Sequence, residues 1–583
     1  MIGLNKIWLN QVQLNRLYLN APFPVYRKMT GGGSSGDGFP VLPGDVTRWH
    51  FGGLTNEMMA AMDDPRLEDA DGKGRFLSFK NFRWSGMSGV GGYNYNFTQK
   101  NIFNYVGPNV GAKVSSDTLF IEKVDRSRVN CTIKLSQFKC QLKVTGVTEA
   151  ISNGEVQRLR IYSSKDTANS IYIEKDGIYD VDVLNPEDGV IYVFVNSPQT
   201  DMSDPLTLTS PIAIEQLPFY PGFILGDGVD DEAVTENNLD LEDTYTVYTP
   251  LILLKYGGVV CGKSSAKDYS LNTVTSSKSI GFDSANSWSG SIPVDLYKFV
   301  LVVCKRNSKT MYVKDLITGK SNQSNSKEFV SNPGKYFIWR NTGGSWSQVA
   351  IAGQVICNGY FSTDEDDEKV LNYYKQEYPW LFFDQAWTVT GKTNEDEDRA
   401  TIANITGNGN NLVLSNLGFI EGSGYNEEGG YEGYLVTDGV DDIIRSSAFS
   451  VGKDFTVVGE WKMLKNSDTH ELAGINKHDS FILYNYSYNN RINVYIHSGQ
   501  GTPINTDSIK AFTSTGLIYI NDFNNVEEVI PRDKTDLGYP LFIGYNNNVF
   551  TKLAFKNLAI YPTVLSKEDC IKAYNYLQTL KAK

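Results

Sequence analysis

Between residues 97 and 215 apolar side chains alternate with polar ones or gather in short runs. TIKLSQFKCQLKVTGV, RLRIYSSK, SIYIEKDGIYDVDVL and VIYVFVNS are separated by turn signals such as DG and NPEDG. Such patterning predicts strands, because successive side chains on a strand face opposite sides. The stretch therefore predicts a β-sandwich of about 100 residues. Two later segments carry helical spacing instead. FSTDEDDEKVLNYYKQ after Tyr360 and VLSKEDCIKAYNYLQ after Thr563 each place a Ser, then acids, then apolar residues at helical intervals. Ser362 and Ser566 are the expected N-caps, with acids favoured in the first turn by the helix dipole.

Those two helices close a repeat. Residues 220–231 read YPGFILGDGVDD, and residues 431–442, an offset of 211, read YEGYLVTDGVDD. Downstream, DTYTVY resembles KDFTVV, and each runs into a strand-like segment, TPLILLK or GEWKMLK. A second repeat relates WHFGGLTNE at 49–57 to WTVTGKTNE at 387–395, and GKGRFLSFKNFRWSGMSG at 72–89 to GNGNNLVLSNLGFIEGSG at 407–424. A third pairs LNKIWLN at 4–10 with LNRLYLN at 14–20, ahead of GGGSSGDG at 31–38. Seven residues make one strand of roughly 23 Å, and a Gly/Ser run makes a flexible tether. Ile7, Trp8, Leu9, Leu17, Tyr18 and Leu19 thus read as a docking arm, a terminal hairpin packed on its own chain being the alternative.

The resulting organisation is an arm and tether at 1–44, a small Trp/Gly module at 45–96, a β-sandwich spacer at 97–215, a first DGVDD module at 216–384, a second Trp/Gly module at 385–429 and a second DGVDD module at 430–583. The fold class is all-β.

The DGVDD modules, closed by a short helix, resemble the concanavalin A-like, laminin-G-type jelly roll. The Trp387, Gly391–Asn394, Thr406–Asn410, Ser423–Tyr425 segment resembles one found beside such jelly rolls in head and tail fibre proteins of phages of gut Bacteroidota, crAss-like phages included. The first copy departs from that pattern, with DADGKG where the second has NITGNG. The resemblance implies a virion structural protein assembled in the host cytoplasm. It would dock on other virion proteins through its N-terminus and present lectin-like jelly rolls to host surface glycan. It also implies a homo-oligomer, a trimer by analogy with phage fibres; two tandem apolar strand peptides leave edges open for a neighbouring chain. A bacterial surface glycan-binding protein is the alternative, and a jelly-roll glycan hydrolase a third.

Composition narrows this further. Aromatics make up 12% of the 583 residues and glycine contributes 53, which suits strands and turns and argues against a helix bundle. A net charge of −13 disfavours nucleic acid and anionic membrane as partners. No stretch reaches the roughly 20 apolar residues of a membrane span, and Asn breaks the N-terminal 20 residues too often for a secretory signal. The six cysteines form no CxxC. Cys131 and Cys140 could meet across a hairpin, buried free thiols being the alternative.

Candidate chemistry is sparse. A jelly-roll glycanase needs two carboxylates on alternate strand positions, whereas the acids at 365–368 and 394–398 interleave no apolar residue. No enzyme activity and no cofactor are expected. Asp227, Asp230 and Asp231, with Asp438, Asp441 and Asp442, are the calcium candidates, since that ion takes carboxylate oxygens; the preferred account is an Asp-Gly turn entering a strand. Tyr484, Tyr486, Tyr488, Asn489, Asn490 and Tyr545 are the candidate sugar contacts. Aromatic faces stack on sugar C–H groups and Asn amides both donate and accept; an ordinary outer sheet face is the alternative.

Overall fold

The computed structural model describes residues 38–582, apart from 106–111, 116, 125–128, 148–157, 169, 187–188, 197–205, 264–267, 285–286, 330–332, 341–345, 427–430, 465–473, 478–479, 487–490, 497–501, 505–508, 521–522, 529–530, 532–537 and 547–548. The docking-arm residues Ile7, Trp8, Leu9, Leu17, Tyr18 and Leu19 lie outside that set. The fold is nearly all β, with antiparallel sheets stacked in sandwiches. Three short helices accompany them among the described residues: α1 (Asn56–Ala60), α2 (Asp364–Glu377) and α3 (Lys567–Thr579).

Both DGVDD modules fold into the same jelly roll. In the first, one eight-stranded sheet runs Arg66–Glu68, Phe76–Lys80, Glu232–Thr235, Tyr336–Ile338, Gly258–Lys263, Ser270–Val274, Ser279–Ser284, Ser287–Pro293. In the second, the corresponding sheet runs Thr401–Ile402, Leu412–Ser415, Ile443–Ala448, Pro540–Ile543, Gly474–Lys477, Phe481–Tyr486, Arg491–Ile496, Thr502–Ile504. Position by position, the chain visits the two sheets in one order. Each packs on a second sheet, and the core between is aromatic: Trp49, Tyr245, Phe282 and Trp339 in the first jelly roll, Trp387, Trp461, Phe481 and Phe512 in the second.

The Trp/Gly segments are not freestanding modules, which corrects the six-part organisation. Asp45–His50 pairs along its whole length with Gly353–Asn358, Phe76–Lys80 pairs with Glu232–Thr235, and Gly89–Gly91 pairs with Tyr220–Asp227. Gln385–Thr388, Leu412–Ser415 and Gly424–Tyr425 do the same in the second jelly roll. Strands of two to six residues bury too little surface to stand alone, so each segment supplies the opening strands of the jelly roll that follows it. The repeat offsets show why it looked separate: 335 residues from Gly72 to Gly407, but only 211 from Asp227 to Asp438. The difference is an insertion.

That insertion is the expected β-sandwich. Its sheets run Ile171–Ile173, Arg158–Ser163, Ile191–Asn196, Val129–Ile133, Phe103–Tyr105 and Gly177–Leu184, Gln137–Thr145, Leu206–Gln216, Thr118–Val124, Ala112–Val114. It leaves the first jelly roll after Gly91 and returns at Tyr220. Cys131 and Cys140 lie on opposite sheets, and all six cysteines are buried free thiols. The sandwich docks on the second jelly roll through polar contacts. Asn524 accepts from the Ile178 amide at 2.7 Å and donates to its carbonyl at 3.1 Å, and Lys510 reaches Asp180 at 3.0 Å. Burial raises the Glu460 carboxyl beside this junction, but Lys510 and Lys556 outweigh it and hold the group well below the usual range.

The two jelly rolls join back to back through a separate core. Helix α2, the turn Pro379–Leu381 and helix α3 fill it, with Tyr248 and Phe299 from one side and Val458, Ala559 and Tyr561 from the other. Tyr576 Oη accepts from the Phe299 amide at 2.8 Å, and Tyr561 Oη donates to the Trp380 carbonyl at 3.1 Å. Strands under this layer are covered on both faces, so every residue of Tyr245–Leu253 is buried and the apolar run there does not alternate. Helix α3 is capped by Ser566 as expected. Helix α2 begins one residue later than expected: Thr363 caps it in a reciprocal box with Asp366, while the Ser362 hydroxyl donates to buried Asp367.

Candidate functional site

Back-to-back packing consumes one sheet of each jelly roll and leaves the outward face of the other clear of the joint. On the eight-stranded sheet of the first jelly roll, Leu271, Ile280, Phe282 and Ile292 point into the core. The alternate positions therefore point outward: Ser270 and Asn272, Gly281 and Asp283, and Trp288. Gly281 stands opposite Asn272, and Asp283 opposite both Ser270 and Trp288.

Trp288 is 37% exposed. A Cβ added to Gly281 would meet the indole Cζ2 at 2.7 Å and Cη2 at 3.0 Å, so the ring lies across that glycine. Gly290, at φ +80°, sits where the register of this strand pair shifts, between Gly281 and Asp283. The strand carrying Trp288 is fixed from the other sheet: Ser324 Oγ donates to the Trp288 carbonyl at 2.8 Å and Asn322 Nδ2 to the Ser291 carbonyl at 3.1 Å. Beside the indole, Asn272 Nδ2 donates to Asp283 Oδ2 at 3.2 Å and to the Ser270 carbonyl at 2.9 Å, while Ser270 Oγ donates to Asn272 Oδ1 at 3.0 Å. Partial burial raises the Asp283 carboxyl above the usual range. Sequence reading passed over Trp288; the signal was an aromatic in a polar strand, SWSGS, facing a glycine in the strand before it.

The strand holding Tyr484 and Tyr486 is the counterpart of Ser270–Val274 in sheet order. Leu483 pairs with Val494 as Leu271 pairs with Phe282, so Tyr484 opposite Asn493 occupies the place of Asn272 opposite Gly281. Tyr488, Asn489 and Asn490 lie outside the described residues. Tyr545 packs between Phe542 and Phe550, ring centroids 5.5 and 5.3 Å away.

The DGVDD segments build one constellation twice. Asp227 Oδ1 accepts the Val229 amide, and Asp231 Oδ2 accepts the Asp227 amide, both at 2.8 Å; Ser88 Oγ donates to Asp231 Oδ1 at 3.0 Å. Asp438 and Asp442 repeat the first two bonds at 2.7 and 2.8 Å, and Ser423 Oγ donates to Asp442 Oδ1 and Oδ2 at 3.2 and 2.9 Å. Asn81 and Asn416, both at left-handed φ, donate to the Asp230 and Asp441 carbonyls at 2.9 Å. Asp227, Asp230 and Asp231 offer oxygens within 4.8 Å of one another, as do Asp438, Asp441 and Asp442. Yet Asp231 and Asp442 spend theirs on backbone and Ser donors, tying the loop to the opening strands. In both copies the DGVDD carboxylates clip their own turn to the opening strands. Burial pushes the Asp231 carboxyl up to about 7. A carboxyl raised on folding binds its proton more tightly in the native state, so its contribution is complete below the unfolded value near 4 and is lost as pH rises through about 7. The melting temperature should therefore fall between pH 4 and 7, and Asp231→Asn should flatten that slope; an unchanged slope in scanning calorimetry refutes it.

Five of the eight acids weighed for catalysis have structural duties. Asp366 accepts the Thr363 amide in the capping box of α2 at 3.1 Å, Asp367 is buried against Lys305 at 2.7 Å, and Glu365 pairs with Lys369 at 2.8 Å. Asp396 accepts the Thr393 amide at 2.8 Å and Asp398 pairs with Lys392. Asn394 clips both the Tyr425 amide and carbonyl, as Asn56 clips Val90, which accounts for the repeated TNE.

No protein-family model matches the chain, and no curated protein matches it. Among solved structures, it is similar to the binding domain of botulinum neurotoxin DC in complex with SialylT, at 10% identity and a TM-score of 0.25 over 58% of this chain and 92% of that one. It is similar to the carbohydrate binding module CBM66 from Bacillus subtilis, at 14% identity and 0.16 over 22% and 79%. It is also similar to domain 4 of AbnA, a GH43 extracellular arabinanase from Geobacillus stearothermophilus, in complex with arabinotriose, at 11% identity and 0.19 over 25% and 81%. Likenesses this distant carry no argument about ligand or activity.

Proposed function

We propose that this chain is a non-catalytic, glycan-binding appendage of a phage particle. Its N-terminal arm docks on other virion proteins, its copies assemble as a homo-oligomer, a trimer by analogy with phage fibres, and its jelly rolls meet host surface glycan. The observation that carries the binding role is the open sheet face of the first jelly roll, where an exposed indole rests against Gly281 beside an ordered Asp–Asn–Ser group. Aromatic faces and amide or carboxylate groups of this kind suit a sugar, whose C–H face is apolar and whose rim is hydroxylated. The reading of binding without turnover draws support from the helix cap, turn and ion pairs that occupy five of the eight candidate carboxylates. The virion role rests on the module combination and the tandem strand peptides of the arm.

Two measurements test the proposal. Immunogold electron microscopy with an antibody to the second jelly roll should label fibres on particles; label on bacterial envelopes instead would favour a bacterial surface glycan-binding protein. Incubation with host surface polysaccharide should give binding without release of reducing ends. Release abolished by a single Asp or Glu substitution would show a hydrolase.

A further inference from the structure

We infer that Trp288, Asp283 and Asn272 form a subsite for one neutral pyranose residue on the outward face of the first jelly roll. The inference rests on the glycan-binding reading above and names its ligand class and place.

A single exposed aromatic is ordinary on a protein surface. This one is held in a particular way. Gly281 leaves bare backbone for the indole to rest on, and the strand that carries it is tied at Trp288 and Ser291 to the edge strand of the other sheet. The ring is thus held against the sheet, with little ordering left to do when a ligand stacks on it. Asp283 stands directly opposite Trp288 across the strand pair, at the roughly 5 Å spacing of facing side chains. A sugar stacked on the indole therefore sets its rim hydroxyls against that carboxylate. Asn272 fixes its orientation by donating to Oδ2, and is itself held by the Ser270 hydroxyl; no described residue bonds Oδ1, which can accept from a hydroxyl.

The charge of this group selects the ligand. Of the outward residues in register around the indole, Ser270, Asn272, Gly281, Asp283 and Ser291, only Asp283 is charged. A uronic or sialic acid would bring its carboxylate against a like charge, whereas a neutral sugar brings donors. The second jelly roll differs at the corresponding places: Tyr484 stands for Asn272, Asn493 for Gly281 and Tyr495 for Asp283. The two open faces are not duplicates, and the carboxylate belongs to the first alone.

The test uses the full chain with mannan and dextran as neutral probes and polygalacturonate as the acidic one. Wild-type protein should bind a neutral probe and not polygalacturonate. Trp288→Ala should weaken neutral binding at least tenfold while keeping the wild-type melting temperature, and Trp288→Tyr should restore part of it. Asp283→Asn should raise affinity for polygalacturonate relative to the neutral probes. Neutral binding unchanged in Trp288→Ala but lost in Tyr484→Ala/Tyr486→Ala would overturn this subsite and leave the glycan-binding reading standing. Preference of the wild type for polygalacturonate would overturn the neutral assignment. Binding to none of the three would overturn the subsite and count against the wider reading.

Discussion

Asp367→Ala should destabilise the first jelly roll by about 3–5 kcal/mol, the usual cost of stranding one partner of a buried ion pair. Asp367 and Lys305 are 4% and 3% exposed, and Asp367 also accepts from Tyr248 Oη and Ser362 Oγ at 3.0 and 2.9 Å. Without the carboxylate, Lys305 keeps one carbonyl, that of Ser362 at 2.9 Å, and two hydroxyls lose their acceptor. For a domain of this size the loss corresponds to a melting temperature lower by about 10 °C. The double variant Lys305→Met/Asp367→Leu should recover most of it, because removing both charges removes the desolvation penalty. Calorimetry on the three variants decides the matter: a single variant as stable as wild type would mean that water or a neighbouring group replaces the pair.

Trp380→Ala should separate the unfolding of the two jelly rolls. Trp380 is 1% exposed in the joint, edge-on to Tyr576 with centroids 5.6 Å apart, and its carbonyl anchors Tyr561. Truncating a buried Trp costs about 3–5 kcal/mol. Here the cavity opens in the layer that couples the two units, so cooperativity falls along with stability. Wild-type protein should give one calorimetric transition for the paired jelly rolls, and the variant two. One transition in the variant, at the wild-type temperature, would show that the helices alone carry the coupling.

Much of the architecture was legible because repetition is a property of strings. DGVDD, the paired helices and the Trp387-type segment marked the two jelly rolls, and alternation marked the sandwich. Illegible was which strands belong to which sheet. Trp49 and Trp387 looked like members of separate small modules because pairing partners such as His50 and Gly353 are remote in sequence. The Ser362 cap missed by one residue because Ser362 and Thr363 both carry hydroxyls, and only the burial of Asp367 assigns Ser362 to it. The candidate sugar contacts were harder. Tyr484 and Tyr486 advertise themselves by spacing, whereas Trp288 gains meaning only from the register that lays it over Gly281.

The insertion after Gly91 also sets a timetable. Asp45–His50 lies against Gly353–Asn358, so the first jelly roll cannot close its sheet until its last strand has been made. At the usual synthesis rate of about 5–20 residues per second, that interval is roughly 15–60 s. The inserted sandwich has all its strands between Phe103 and Gln216 and can be complete well before then. A ribosome carrying this nascent chain therefore displays a finished sandwich flanked by opening strands still waiting with bare edges. Slow codons or scarce chaperones over residues 220–358 would prolong that exposure, and yield of soluble protein should depend on this stretch more than on any other.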